Sequence, residues 1–127
     1  MVSIVTEVII RGFFGPTSNF GSGTGGIFDP DGLVLTNNHV ISGAENITVT
    51  LDDGRQFQAE VVGADILSDL AVLRIPGDAY TALPLGGEEG RDIRVGDWVI
   101  AIGNALALPG GPTVTVGVVS ALGRSIE

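Results

Sequence analysis

The sequence predicts an all-β fold, a small antiparallel Greek-key barrel, and three observations carry that expectation. Short runs rich in Val, Ile, Leu and Thr recur along the chain. Twenty glycines and six prolines punctuate them. No segment sustains a helical 3.6-residue period for three turns. Closure of many short strands around one core is favoured over an open sheet because it removes exposed edges. A length of 127 residues suits a single domain, and no internal repeat at solenoid periods is present.

The apolar start, Ser3 to Ile10, reads as a strand. It carries Glu7 with Arg11 just beyond, and lacks the basic n-region of a signal peptide. Gly25 to Phe28 and Leu33 to Asn37 form a hairpin, because Asp29-Pro30-Asp31-Gly32 supplies a proline that presets φ and a glycine free to take positive φ. Between Asn37 and Ala44 the run HVISGA fits one helical turn, terminated by Gly43. Ile47 to Leu51 and Gln56 to Asp65 then flank a second tight turn, Asp52-Asp53-Gly54. Leu70 to Ile75 is the next strand. From Pro76 to Gly96 the composition shifts to Gly, Pro and acidic residues, which reads as a long surface connection with Glu88, Glu89 and Asp92 as a solvated face. Asp97 to Ile102 and Thr113 to Ala121 complete the strands.

Composition excludes several functions. Six Lys plus Arg against 15 Asp plus Glu gives a net charge of −9, which repels phosphate backbones and anionic membrane surfaces. No cysteine is present, so there is no disulfide framework, thiolate nucleophile or Cys-based zinc site. No apolar run approaches the roughly 18 residues that a membrane-spanning helix needs. A hydrophobic content of 44% is high for so small a domain. Some apolar surface is therefore expected to be covered by something else.

The only histidine, His39, sits just past a strand end, where chemistry tends to be mounted. By itself it reads as a structural residue. Asp69 changes the weighing: it lies 30 residues on in "LSDLAVLRI", at the mouth of an otherwise apolar strand. A carboxylate buried there needs a partner, and an imidazole N–H provides one. Nucleophilic hydrolysis needs such a pair, with His as general base and Asp fixing its tautomer. The order His then Asp on an all-β chain is that of the chymotrypsin type, in which Ser comes last.

Three stretches, "GSGTGGIFDPDGLVLTNNHVISGA", "VTLDDGRQFQAEVVGADILSDLAVLRI" and "RVGDWVIAIGNALALPGGPTVTVGVVSALGR", together resemble the protease domain of the HtrA (Deg) family of trypsin-like serine endopeptidases. The resemblance runs from Gly21 to Arg124. It implies a six-stranded Greek-key barrel of the trypsin-like type, with an extra C-terminal strand from an incomplete second barrel. Residues 1–100 would be the first barrel and residues 101–127 the inter-barrel connection, Asn104 to Pro112, and the second barrel's opening strand. It also implies catalytic roles for His39 as base and Asp69 as orienting acid, no cofactor, unfolded or damaged proteins as substrates, and a periplasmic or otherwise extracytoplasmic setting.

The chain departs from the family at the nucleophile. The family's serine sits in Gly-Asn-Ser-Gly-Gly beyond the "VSALGR" stretch, and the serines here (Ser3, Ser18, Ser22, Ser42, Ser68, Ser120 and Ser125) lie in other contexts. The expectation is the N-terminal half of a protease domain, inactive alone for want of the serine and the oxyanion hole. Ala105-Leu106 replaces the family's proline and aromatic after "GN". The rival expectation is a non-catalytic module that self-associates through an uncovered barrel face or through an orphan strand Thr113 to Leu122. A third, weaker reading is a metal site built on His39, Asp69 and another carboxylate.

Other signals are set aside. Gly21 to Gly26 satisfies a G-x-G-x-x-G pattern, but IFDPDG and not a helix follows, so the stretch reads as a flexible loop leading into a strand. Asn46-Ile47-Thr48 is a glycosylation triplet entering a strand. Asp29, Asp31, Asp52 and Asp53 are turn residues rather than calcium ligands. Trp98 reads as core or inter-barrel packing. Phe13-Phe14, in the first loop, resembles aromatics used in family trimers.

Overall fold

Alternation of apolar side chains organises the strands, and their inward residues meet in one core. The computed structural model describes residues 1–86, 93–103 and 113–122. Its elements are β1 (Val2–Gly12), β2 (Gly15–Asp29), β3 (Leu33–Asn37), α1 (Asn38–Ile41), β4 (Asn46–Leu51), β5 (Gln56–Gln58), β6 (Glu60–Asp65), β7 (Leu70–Arg74), β8 (Trp98–Gly103) and β9 (Thr113–Val118). Val2 and Ile4 of β1, Ile27 of β2, Val34 of β3, Val49 of β4 and Leu73 of β7 form the centre of the core. Each such aliphatic contributes roughly 1.5–3 kcal/mol when fully buried.

All pairings are antiparallel, and the main sheet runs β5-β4-β1-β2-β3-β7-β6. The stretch β4-β1-β2-β3 is a Greek key, with the fourth strand returning beside the first. The two edges, β5 and β6, are consecutive halves of the single run expected from Gln56 to Asp65. Ala59 alone separates them, and its N–H donates to Ile47 O at 2.9 Å. One half pairs with β4 and the other with β7, so the seven strands are made by six runs of chain in one antiparallel sheet. Both expected turns form: Gly32 and Gly54 take φ of 98° and 90°, and their N–H groups donate to Asp29 O and Leu51 O.

The glycine-rich stretch overturns its reading as a flexible loop, because Gly21 to Gly26 lies inside β2. Gly21, Gly23 and Gly25 recur with period two and so share one face. A Cβ on Gly25 would stand 2.9 Å from Ile4 Cδ1, 2.9 Å from Val34 Cγ1 and 3.0 Å from Leu35 O. Glycine is required there because neighbouring chains approach too closely for any side chain.

Two further expectations change. The connection after Pro76 is pinned to the barrel, with Tyr80 N–H donating to Pro30 O at 3.1 Å and Leu83 N–H to Ile27 O at 2.7 Å. Tyr80 is buried, edge-on to Phe57. The strand from Thr113 is not an orphan: β9 pairs with β8 from Trp98↔Val118 to Gly103↔Thr113, in a separate two-stranded sheet. Trp98 is not a core residue among the described residues, being 78% exposed, and Ile100, Ile102, Val114, Val116 and Val118 are exposed with it. The acidic residues Glu88, Glu89 and Asp92, and the stretch from Asn104 to Pro112, lie outside the described residues. No helix among the described residues is long and apolar enough to cross a membrane.

Gly25→Ala is expected to lower unfolding free energy by about 1–3 kcal/mol through overpacking, whereas Gly63→Ala, whose Cβ would meet nothing within 4 Å, should be near neutral. Urea unfolding of the two variants measures the contrast. Equal effects would show that crowding does not explain the glycine row.

Candidate active site

The site arises where β3 runs out and β7 begins. Their register pairs Asn37 with Leu70, so the residues just outside the strands, Asn38 and Asp69, stand side by side. Asn38 N–H donates to Asp69 O at 3.1 Å. The chain then turns through α1, which presents His39, and Ile41 plugs the helical turn into the core. Gly43 follows at φ 75° and lets the chain re-enter β4.

Gly23 sets how deeply that turn is seated. A Cβ there would come within 2.6 Å of Val40 Cγ1 and 2.7 Å of Val40 Cγ2. Val40 is the residue after His39, so the missing side chain of β2 becomes the seat of the helical turn. Beside it, Thr36 is buried and its hydroxyl donates to Thr24 O at 2.9 Å.

Asp69 is presented by a turn with its own internal bonds. Asp65 Oδ1 accepts from Leu67 N–H at 3.0 Å, and Asp65 Oδ2 accepts from the Ser68 hydroxyl at 2.9 Å. The chain reaches Asp69 with φ 56°, a left-handed conformation unusual for a residue with a side chain. In that conformation Oδ1 accepts from His39 N–H at 2.8 Å, and Oδ2 lies 2.6 Å from His39 Nδ1. The two residues singled out from the sequence are thus brought together. An ionised carboxylate is acceptor-only, so the imidazole proton sits on Nδ1 and Nε2 is left as an acceptor. This is the tautomer that a general base needs.

The electrostatics differ from the expected buried carboxylate. The side chains of His39 and Asp69 are 71% and 42% exposed, so pairing rather than burial governs the acid. The His39 side-chain hydrogen bond, followed by its backbone N–H, holds the Asp69 carboxyl below the ordinary aspartate value. No group of three or more His, Cys, Asp or Glu that could hold a metal ion occurs among the described residues, and the glycine-rich stretch, being strand, offers no helix to a pyrophosphate. Among the described residues no hydroxyl hydrogen-bonds to His39 Nε2; Ser18 and Ser68 are engaged by Glu7 and Asp65. Asn37, which donates from Nδ2 to Asp69 O at 3.1 Å, was not singled out from the sequence. Its place directly before a helical turn, where Asn commonly caps, was the available signal.

Residues 23–127 match the family described as Trypsin-like peptidase domain. A protein of Halomonas elongata named "Probable periplasmic serine endoprotease DegP-like" is 45% identical over 104 residues, covering 82% of this chain and 21% of that protein. Among solved structures, the HtrA-type protease AlgW with decapeptide superposes with a TM-score of 0.75 at 34% identity, covering 98% of this chain and 43% of that one. The serine endoprotease from Yersinia pestis does so with a TM-score of 0.69 at 42% identity, covering 97% and 41%. The chain spans between 20% and 26% of the length of the curated relatives it matches.

Because the folded-state pKa of Asp69 is depressed, its contribution to stability is fully present above the ordinary value of 3.8 and is lost as pH falls through the folded value. The stability difference between the wild type and Asp69→Asn should therefore shrink as pH falls through that acid window. Chemical unfolding at a series of pH values checks it; a difference that vanished near neutrality would contradict the pairing.

Proposed function

Because this chain belongs to the trypsin-like peptidase domain family and is HtrA/DegP-like within it, we propose that it supplies the general base and orienting acid of a serine endopeptidase. The observation that carries this reading is the 2.6 Å contact of His39 Nδ1 with Asp69 Oδ2, which leaves Nε2 to receive a proton. In the proposed reaction Nε2 takes the proton of a serine hydroxyl as its oxygen attacks the scissile carbonyl. It returns that proton to the leaving amine, while Asp69 keeps the ring oriented and stabilises the imidazolium. The substrates are unfolded or damaged proteins, read from the HtrA family. The peptide-bound AlgW structure supports a peptide ligand, and the periplasmic name of the Halomonas relative supports action outside the cytoplasm.

In this reading none of the seven serines of the chain is the nucleophile. The serine and the oxyanion donors come from a second barrel, of which β8 and β9 are the opening hairpin. Pairing of β8 with β9 alone among the described residues supports placing the boundary before Trp98 rather than at residue 100. The exposed apolar residues of that hairpin are then the surface which the rest of the second barrel covers.

The protein read from the complete gene should carry Gly-Asn-Ser-Gly-Gly beyond Glu127, hydrolyse unfolded casein and react with a fluorophosphonate. His39→Ala and Asp69→Asn should each lower its kcat by roughly 10⁴-fold. The 127-residue chain alone should do neither reaction. Casein turnover by that chain, blocked by fluorophosphonate, would place the nucleophile within it and overturn this assignment.

A second reading, a non-catalytic self-associating module, draws on the fully exposed Phe13 and Phe14 at the β1–β2 tip and on the apolar β8–β9 hairpin. It requires oligomers of the chain at high concentration. A monomer by sedimentation across that range would remove it.

A further inference from the structure

We propose that Asn37 is a positioning residue, whose side-chain amide holds Asp69 in the backbone conformation that aims its carboxylate at His39. This rests on the reading of His39 and Asp69 as a base and its orienting acid. Asn37 occupies the position before α1 with φ −89° and ψ 143°, yet its side chain makes no capping hydrogen bond. An asparagine there ordinarily accepts an N–H from the first helical turn. Here the N–H groups at the start of α1 go instead to Asp69. Asn38 N–H donates to its carbonyl at 3.1 Å and His39 N–H to its Oδ1 at 2.8 Å. The amide of Asn37 is released from capping and turns outward across the strand gap, where Nδ2 donates to Asp69 O at 3.1 Å.

The carbonyl of Asp69 thus receives two donors, one for each lone pair. That matters because Asp69 has φ 56°, a conformation that side-chain-bearing residues keep only when their surroundings over-determine it. Rotation of Asp69 back to negative φ would turn the carbonyl away from both donors and swing the carboxylate off the imidazole. The backbone donor from Asn38 is common to any sequence. The side-chain donor from Asn37 is the part that residue choice adds. It is exposed, and the β3–β7 ladder is made by backbone groups, so its removal should disturb the aim of Asp69 more than the stability of the barrel.

The test compares Asn37→Leu, which keeps bulk and loses the donor, with Asn37→Gln, which keeps an amide. His39 is the only histidine of the chain, so its ring nitrogens are unambiguous in a ¹⁵N NMR spectrum, which reports the tautomer directly. In Asn37→Leu the ring proton should redistribute from Nδ1 toward Nε2, while Asn37→Gln stays near wild type and both retain the wild-type Tm within a few degrees. In the protein from the complete gene, Asn37→Leu should lower kcat roughly tenfold with KM little changed. If Asn37→Leu does not fold, Asn37→Asp, equal in size with an acceptor in place of the donor, is read in the same way. An unaltered tautomer and kcat in the donor-less variant overturns the proposal, as does an equal change in Asn37→Gln. If the complete protein hydrolyses nothing, the protease reading falls, and the tautomer measurement still decides the role of Asn37.

Discussion

The hydrogen bonds between Asp69 and the β3–α1 junction tie together residues 30 to 32 positions apart, and the rest of the site depends on them. Its carbonyl holds Asn38 N–H and Asn37 Nδ2, and its carboxylate holds His39 through both backbone and ring. A four-residue helix has no cooperative stability of its own. Its first N–H groups are satisfied from the turn before β7, so Asp69 steadies the turn that carries His39. The residue that ends β3 in an orderly way through its carbonyl and Oδ1 also selects the tautomer of the imidazole through Oδ2. Structure and chemistry cannot be separated at this residue.

What brings β3 and β7 to that juncture is their antiparallel register, and glycines of β2 let the neighbouring chains pack closely around it. Along β2 the absent side chains at 21, 23 and 25 admit Thr6, Val40 and Ile4 in turn. Gly25 lets β1 and β3 close on β2 within the core, while Gly23 accepts Val40 and so fixes the height of α1. One strand therefore serves both core and site: Gly25 governs packing, and Gly23 governs where the imidazole stands. At the far side of the barrel, the bend at Ala59 lets one run of chain serve both edges, which leaves the Greek key without a free seam between β4 and β7.

The strands were legible where period two is local: Leu33–Asn37 has the bounds expected from its apolar run, and both Asp-rich turns were readable from their glycines. The glycine stretch of β2 was not, because loops and crowded strands share that composition; only the neighbours of the absent Cβ atoms distinguish them. The division at Ala59 was hidden for a similar reason, since its hydrogen-bond partner on Ile47 is distant in sequence. Tyr80 was concealed in a run of Gly, Pro and acidic residues that reads as surface. At the site, His39 stood out as the only histidine of the chain and Asp69 as a carboxylate at the mouth of an apolar strand, the two in the order that a base and its orienting acid take. Asn37 did not, because an asparagine beside a helical turn has a routine explanation, and its amide's actual target lies across the sheet.

In the proposed reaction, the exposure of the pair separates two ingredients of catalysis. Orientation is already complete at the β3–α1 junction: Asp69 accepts two hydrogen bonds from His39, which define both the position and the tautomer of the imidazole. Electrostatic support is not, because at 71% and 42% exposure the side chains face water. Two unit charges 4 Å apart attract by about 1 kcal/mol in water but about 4 kcal/mol at an effective dielectric constant near 20. An imidazolium formed during proton transfer would therefore gain little from Asp69 until the pair is covered. A covering surface that excludes water would strengthen the interaction several-fold without moving either residue.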